Sequence, residues 1–124
     1  EPYVILDMPK QIRSCYAQFR TGILPIMVEV GRFYGIPLEE RFCTYCKEKQ
    51  LEYIEDEFHI LLICMLYQEQ RNQLYAKVIL SFPSFNNMDD LDRFLFLNNN
   101  FQVETAKYIY SAMKIRECLL YNVI

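Results

Sequence analysis

The sequence contains no tryptophan, one histidine and three glycines, and its 13 basic residues are outnumbered by 16 acidic ones. It has no glycine-rich phosphate loop and no Gly-x-Ser-x-Gly motif, and without a second histidine general acid and base chemistry is left to carboxylates. A net charge of -3 leaves no broad cationic surface, so any contact with nucleic acid must be local. We therefore expect a domain that is not itself an enzyme.

Long apolar runs are also missing, since none approaches the roughly 20 residues that a membrane-spanning helix needs. The first ten residues carry charges and two prolines and lack the basic start and apolar stretch of a signal peptide. We expect no membrane partner. The start at Glu1 suggests a fragment of a longer chain.

Five cysteines are an odd number, so at least one is left outside any intramolecular disulfide. A chain with 52% hydrophobic residues has enough apolar material for a core without such crosslinks. These features indicate a reducing intracellular compartment, in the cytoplasm and nucleus. The length of 124 residues fits a single domain, 1–124.

Helical periodicity runs through nearly the whole chain, and turn residues interrupt it. We predict helices that begin at Asp7–Pro9, at Pro25 and at Glu55, then over 67–80, over 89–97 and after 98–100. Gly22 ends the first helix, whereas Gly31, Gly35 and Pro37 break the chain after the second. Residues 42–51 read as a tight loop or small hairpin. The positions expected to face the core are Ile12, Cys15, Tyr16, Phe19, Ile26, Met27, Val30, Phe58, Leu61, Leu62, Met65, Leu74, Tyr75, Val78, Ile79, Leu91, Phe94, Leu95, Val103, Ala106, Ile109, Met113 and Leu120.

Soft metal ligands are concentrated in one segment of the sequence. Four of the six cysteine and histidine residues lie within 22 positions, with spacers of two, twelve and four residues between Cys43, Cys46, His59 and Cys64. This pattern predicts a closed structural Zn²⁺ site of three thiolates and one imidazole, with no open position for catalysis. The predicted fold class is therefore a small all-α domain with an embedded zinc loop, 42–67. The alternative is a buried thiol cluster beside an ordinary histidine.

The five-residue spacing from His59 to Cys64 does not fit a regular α-helix if both side chains bind one ion. On an ideal α-helix a separation of five residues rotates two side chains apart by about 140°. Both side chains reach one ion only where the helix loosens or ends. The sequence therefore predicts a distortion between Ile63 and Met65.

Other reactive residues have simpler interpretations. The acidic run 55–57 suits the solvated first turn of a helix, at the positive end of its dipole. Asp89 and Asp90 read as the N-terminal residues of a helix rather than as a catalytic pair. Cys15 and Cys118 read as small buried hydrophobic residues.

Cations and aromatic side chains alternate around the zinc loop. Aromatic faces beside cations stack unpaired bases and pair with phosphates in proteins that bind single strands. Alternatively, the aromatic residues pack the loop and the cations are solvated, and ten tyrosines also suit a protein interface. The residues concerned are Arg41, Phe42, Tyr45, Lys47, Lys49, Tyr53, Tyr67 and Arg71.

Several sequence runs together resemble the C-terminal CCHC zinc-binding domain of invertebrate non-LTR (LINE-type) retrotransposon reverse transcriptase polyproteins. The resemblance covers nearly the whole chain. The runs that carry it are AQFR at 17–20, VEVGRF at 28–33, PLEERFC at 37–43 with Cys46, EDEFH at 55–59 with Cys64, Tyr67 and Arg71, FLFL at 94–97 and AKYIY at 106–110.

The resemblance implies that Cys43, Cys46, His59 and Cys64 are metal ligands. It implies a nucleic-acid-binding module that helps to hold template RNA or target DNA, with an upstream reverse transcriptase domain of the parent chain as a partner. A host protein-interaction adaptor of the same fold is the alternative.

The arginines of the resembling motif also have two readings. They form a phosphate-contacting set, or they pair internally with Glu29, Glu40 and Glu57, and internal pairing would argue against a nucleic-acid role. The arginines are Arg20, Arg32, Arg41 and Arg71.

Overall fold

The computed structural model describes residues 8–121, and these form a small all-α domain as predicted. Within this range the chain has one isolated bridge, between Phe42 and Ile54, and no regular strand. Six α-helices follow one another: α1 Lys10–Thr21, α2 Met27–Phe33, α3 Thr44–Glu48, α4 Gln68–Ser81, α5 Asp90–Asn100 and α6 Gln102–Tyr121. Short 3-10 turns lie at Leu38–Glu40, Met65–Tyr67 and Pro83–Asn87, and a π-helical turn spans His59–Ile63.

The last helix, α6, is the centre of the fold. Helices α1, α4 and α5 and the π turn all pack against it. Its buried face includes Ala106, Ile109 and Ala112, which repeat at helical spacing and are fully shielded from solvent. Segment 42–67, which contains the four candidate ligands, is thereby packed on the same core as the helices.

Local signals explain where two of the helices begin and end. Gly22 terminates α1 with a left-handed φ of 75°, a conformation that glycine adopts without steric cost. Asp89 caps α5 by accepting a hydrogen bond from the Asp92 backbone N–H at 2.9 Å. This confirms the prediction that the paired aspartates belong to the start of a helix.

Some expected core positions are wrong. Met65 and Leu91 are 60% exposed and Leu95 is 50% exposed, because the 3-10 turn Met65–Tyr67 and helix α5 present other side chains to the core. In α5 the fully buried residue is Leu97. Gly31 does not break the chain either, since it lies inside α2.

The structure differs from the sequence prediction at two further places. Helical structure begins at Glu57, two residues after the predicted start at Glu55, and Glu55 is buried rather than solvated. Cys118 is exposed rather than buried, whereas Cys15 is half-buried between helices. Within residues 8–121, no helix is both long enough and apolar enough to span a membrane.

Candidate metal centre

The first two ligands are carried by helix α3 and the residue before it. Cys43 precedes α3, and its carbonyl accepts the Lys47 N–H at 2.9 Å, while its own N–H donates to the Tyr53 carbonyl at 2.8 Å. Cys46 lies within the helix and is buried. The segment expected to be a loop or hairpin thus contains a five-residue helix. After this helix the chain comes back beside its start, where Ile54 forms an isolated antiparallel bridge with Phe42.

The other two ligands lie at the two ends of the π turn. The Cys64 N–H donates to the His59 carbonyl at 2.9 Å, which closes a ring of one residue more than an α-helical bond. At Cys64 the backbone becomes extended, with φ -64° and ψ 128°. The predicted distortion is confirmed, and it begins earlier than expected, at His59. Because the turn is wider, side chains five residues apart face the same side.

The four predicted ligands come together in one buried cluster. Their ligand atoms all lie within 4.8 Å of one another. The Cys64 sulfur is 3.9 Å from that of Cys43 and 3.8 Å from that of Cys46. Two sulfurs at 2.3 Å from one tetrahedral ion are expected about 3.8 Å apart, so the donor set fits a small tetrahedral cation.

The imidazole fits the same geometry. His59 Nε2 is 3.5 Å from the Cys46 sulfur, and a nitrogen and a sulfur on one tetrahedral zinc ion are expected about 3.5 Å apart. His59 Nδ1 is buried and has no hydrogen-bond partner among the described residues. Nε2 is therefore the imidazole nitrogen that would reach a metal ion in the cluster. The Tyr53 ring lies 5.3 Å from the imidazole and covers it.

The thiols influence one another electrostatically. A hydrogen bond from Cys64 lowers the pKa of Cys43 to about 4, and the same bond together with burial raises the pKa of Cys64. Burial also raises the pKa of Cys46, and the nearby Cys43 thiolate adds to this effect. A cation among the three sulfurs, such as a bound metal ion, would be needed to stabilise all three as thiolates.

Arg71 lies in the interior, not on a surface where it could contact nucleic acid. It is 3% exposed and donates to the backbone carbonyls of Leu61 at 3.0 Å and Cys64 at 2.7 Å. It also donates to the Gln68 side chain and to the Tyr108 hydroxyl. All three nitrogens of its guanidinium are therefore engaged with the protein.

Arg41 is likewise directed toward the protein. Its Nε donates to the Ile36 carbonyl and its Nη1 to the Val28 carbonyl, both at 2.9 Å. Its aliphatic portion packs against Gly31. Arg41 therefore ties α2 to the segment that leads into the metal loop.

The remaining basic candidates are exposed, and each lies against an aromatic ring. Lys47 lies 4.6 Å from the Phe42 ring centroid and Lys49 lies 5.0 Å from that of Tyr45. The Arg20 guanidinium lies over Tyr16. Arg32 lies over Phe33 and forms an exposed ion pair with Glu29 at 2.8 Å. For Arg32 the structure therefore shows internal pairing, one of the two alternatives that the sequence left open.

A buried ion pair beside the metal centre was missed by sequence reasoning. Arg116 forms two hydrogen bonds of 2.8 Å with the Glu55 carboxylate, and Glu55 also accepts the Met27 N–H at 2.7 Å. Burial opposes the charge of Arg116, but these contacts outweigh it and raise the pKa of Arg116. One signal was available, since Arg116 falls seven residues after Ile109 on the buried stripe of α6.

Comparisons with known protein families, with curated proteins and with solved structures give no match.

Proposed function

We propose that this chain is a zinc-stabilised helical module that binds single-stranded RNA or DNA locally and is not itself an enzyme. The observation that carries the zinc assignment is the buried group of three sulfurs and one imidazole nitrogen within 4.8 Å. Thiolate and imidazole ligands in a tetrahedral arrangement favour Zn²⁺. Four protein ligands leave no position for substrate or water, so the ion would stabilise the fold rather than perform chemistry.

A reducing intracellular compartment, cytoplasm or nucleus, follows from the same proposal. Cys43, Cys46 and Cys64 bind zinc only as thiolates, and oxidation to a disulfide would remove two ligands. None of the five cysteines forms a disulfide in the described part of the chain. A reducing environment keeps all three available.

Metal removal tests the zinc proposal. Structural zinc contributes on the order of 10 kcal/mol to folding in small zinc domains, comparable to the whole stability of a domain of this size. We expect one zinc per chain by elemental analysis and a large fall in melting temperature when a strong chelator is added. Absence of stoichiometric metal, with a melting curve that chelator leaves unchanged, would contradict the proposal.

The nucleic-acid surface that we propose lies on the outer side of α3. Lys47 and Lys49 are exposed, and each contacts an aromatic face, on Phe42 and Tyr45. Such pairs offer a base a stacking partner and a phosphate a charge. Arg20 is an accessory cation, whereas Arg32 takes no part because it pairs with Glu29. Arg41 and Arg71 take no part because their guanidinium groups donate to backbone carbonyls.

A titration with labelled single-stranded RNA at two salt concentrations tests this surface. The double variant Lys47→Gln/Lys49→Gln should weaken binding and reduce the slope of log affinity against log salt by roughly 1.4, about 0.7 for each lost phosphate contact. The matched control is Lys77→Gln/Lys107→Gln, which removes the same charge from exposed positions on α4 and α6. Equal effects of the two double variants, or no binding at low salt, would exclude the proposed surface.

In a longer parent chain, such a module would hold template RNA or target DNA beside an upstream reverse transcriptase domain. This part of the proposal rests on the resemblance of the sequence motifs. It predicts that the isolated module binds nucleic acid weakly and without polymerase activity.

A protein-interaction adaptor is the second candidate, and exposed apolar side chains favour it. Phe33, Tyr34 and Leu38 are 72%, 78% and 56% exposed, at the end of α2 and in the turn that follows. Exposed aromatic residues are enriched in protein interfaces. A zinc-loaded, folded chain that fails to bind RNA or DNA at low salt would favour this candidate over the first.

A further inference from the structure

The π turn that carries His59 and Cys64 has carbonyl groups that side chains from other helices bind. Tyr108 of α6 donates its hydroxyl to the Ile60 carbonyl at 2.7 Å. Arg71 of α4 donates to the Leu61 and Cys64 carbonyls. Ile60, Leu61 and Cys64 are completely buried, so water does not replace these donors.

The two donors form one network. Arg71 Nη2 lies 3.2 Å from the Tyr108 hydroxyl oxygen, which accepts from Arg71 while its own proton goes to Ile60. Tyr108 is 4% exposed, so both ends of the network are shielded from solvent. The network therefore joins α4 and α6 to three carbonyls of the segment that ends at a metal ligand.

The charge of Arg71 is also unusual. It is a buried cation, and none of the ion pairs in the described part of the chain includes it. A buried charge without a counter-ion is strongly unfavourable. Three thiolates and a neutral imidazole around Zn²⁺ carry a formal charge of -1, and Arg71 binds the backbone of one of the thiolate residues.

We infer that Arg71, with Tyr108, is a positioning residue of the metal centre: it holds the π turn in ligating geometry and supplies the cation that balances the anionic zinc site. This inference rests on the zinc-binding function proposed above. Hydrogen-bonded groups behind metal ligands orient those ligands and strengthen binding. The His59 and Cys64 half of the site is thereby held in place by the helical body.

Zinc affinity and cobalt spectroscopy of the full chain test the inference. Arg71→Gln removes the charge and most donors, and it should weaken zinc binding by about 10- to 100-fold. Arg71→Lys keeps the charge but not the planar fork, so its loss should be smaller. Both variants should shift the visible bands of bound Co²⁺, because the Cys64 backbone moves. Affinity is measured by competition with a chelator.

The matched control is Arg93→Gln. Arg93 also donates to two backbone carbonyls, of Phe85 and Asn86, but at the junction of α5 with the preceding 3-10 turn. The Arg93→Gln variant should keep wild-type zinc affinity and wild-type Co²⁺ bands, even if its free energy of unfolding is lower. Folding of each variant is checked by circular dichroism.

Tyr108→Phe keeps the inference testable if Arg71→Gln does not fold. It removes one hydroxyl without changing the ring, and it should weaken zinc binding and shift the Co²⁺ bands. Folded variants at both positions with wild-type affinity and wild-type bands would overturn the inference. If the wild-type chain itself bound no zinc, the proposed function would fail instead.

Discussion

Gly31 shows how a single residue is fixed by its neighbour. It lies within α2 at an ordinary helical φ, so backbone conformation does not require glycine there. A Cβ at this position would lie 2.7 Å from Cγ and 2.8 Å from Cδ of Arg41. Arg41 has little freedom to withdraw, because its guanidinium is bound to the carbonyls of Val28 and Ile36.

Gly31→Ala should therefore destabilise the chain, although alanine is the better helix former. Helix propensity favours alanine by about 1 kcal/mol, whereas overpacking costs about 1–3 kcal/mol. We expect a net loss of up to about 2 kcal/mol in urea unfolding. In an Arg41→Ala background the clash is gone, and the same change should stabilise by about 1 kcal/mol. The same sign in both backgrounds would contradict this explanation.

At the residue scale, the sequence predicts the ligands better than it predicts the polar groups that support them. Cysteine and histidine residues at this spacing are recognisable as candidate metal ligands, because few other roles require that pattern. An arginine or glutamate does not reveal its burial. The sequence predicts Glu55 at a solvated helix start and leaves Arg71 open between phosphate contact and internal pairing, and only tertiary packing places both side chains inside.

The π turn is the element in which sequence spacing and structure agree most closely. A five-residue separation is incompatible with shared ligation on a regular α-helix, so the distortion followed from the spacing alone. Helix α3 was not predicted, because five residues are too few to display periodicity. The prediction places Leu91 and Leu95 in the core because they are apolar, but both are exposed. Contacts with neighbouring helices determine which face of α5 is buried.

Asp56 holds the start of the π turn. Its carboxylate accepts the His59 N–H at 2.8 Å, as an N-cap does. Asp56→Ala should lower the stability of the zinc-loaded chain by about 1 kcal/mol and also weaken zinc binding.

The matched control for that prediction is Asp89→Ala, which removes the equivalent cap from α5. It should lower stability by a similar amount without affecting zinc affinity, and Asp56→Asn should behave nearly as wild type. Thermal unfolding and chelator competition give the two quantities. Equal zinc affinities for the two alanine variants would show that the cap acts on stability alone.

At the scale of the whole molecule, the ion pair of Glu55 with Arg116 connects three segments. Glu55 lies between α3 and the π turn, Arg116 lies near the end of α6, and Met27 begins α2. Both charged side chains are almost fully shielded from solvent, at 3% and 6% exposure. The pair therefore fastens segment 42–67 to helices α2 and α6, which are remote from it in sequence.

Arg116→Met should cost about 3–5 kcal/mol, because it leaves the Glu55 carboxylate buried without its partner. The control is Arg32→Met, which breaks an exposed ion pair with Glu29 and should cost less than about 1 kcal/mol. Denaturant unfolding of the zinc-loaded variants measures both losses. Similar values for the two variants would refute the assignment of a structural role to the buried pair.

The four candidate ligands lie within one short segment of the sequence, but the side chains that hold this segment in place come from elsewhere in the chain. Residues 42–67 contain every sulfur and the imidazole of the cluster, while Arg71, Tyr108 and Arg116 belong to α4 and α6. A grafted peptide of that stretch would transplant the chelating atoms without their scaffold. A design that reuses the site therefore needs helices α4 and α6 as well as residues 42–67.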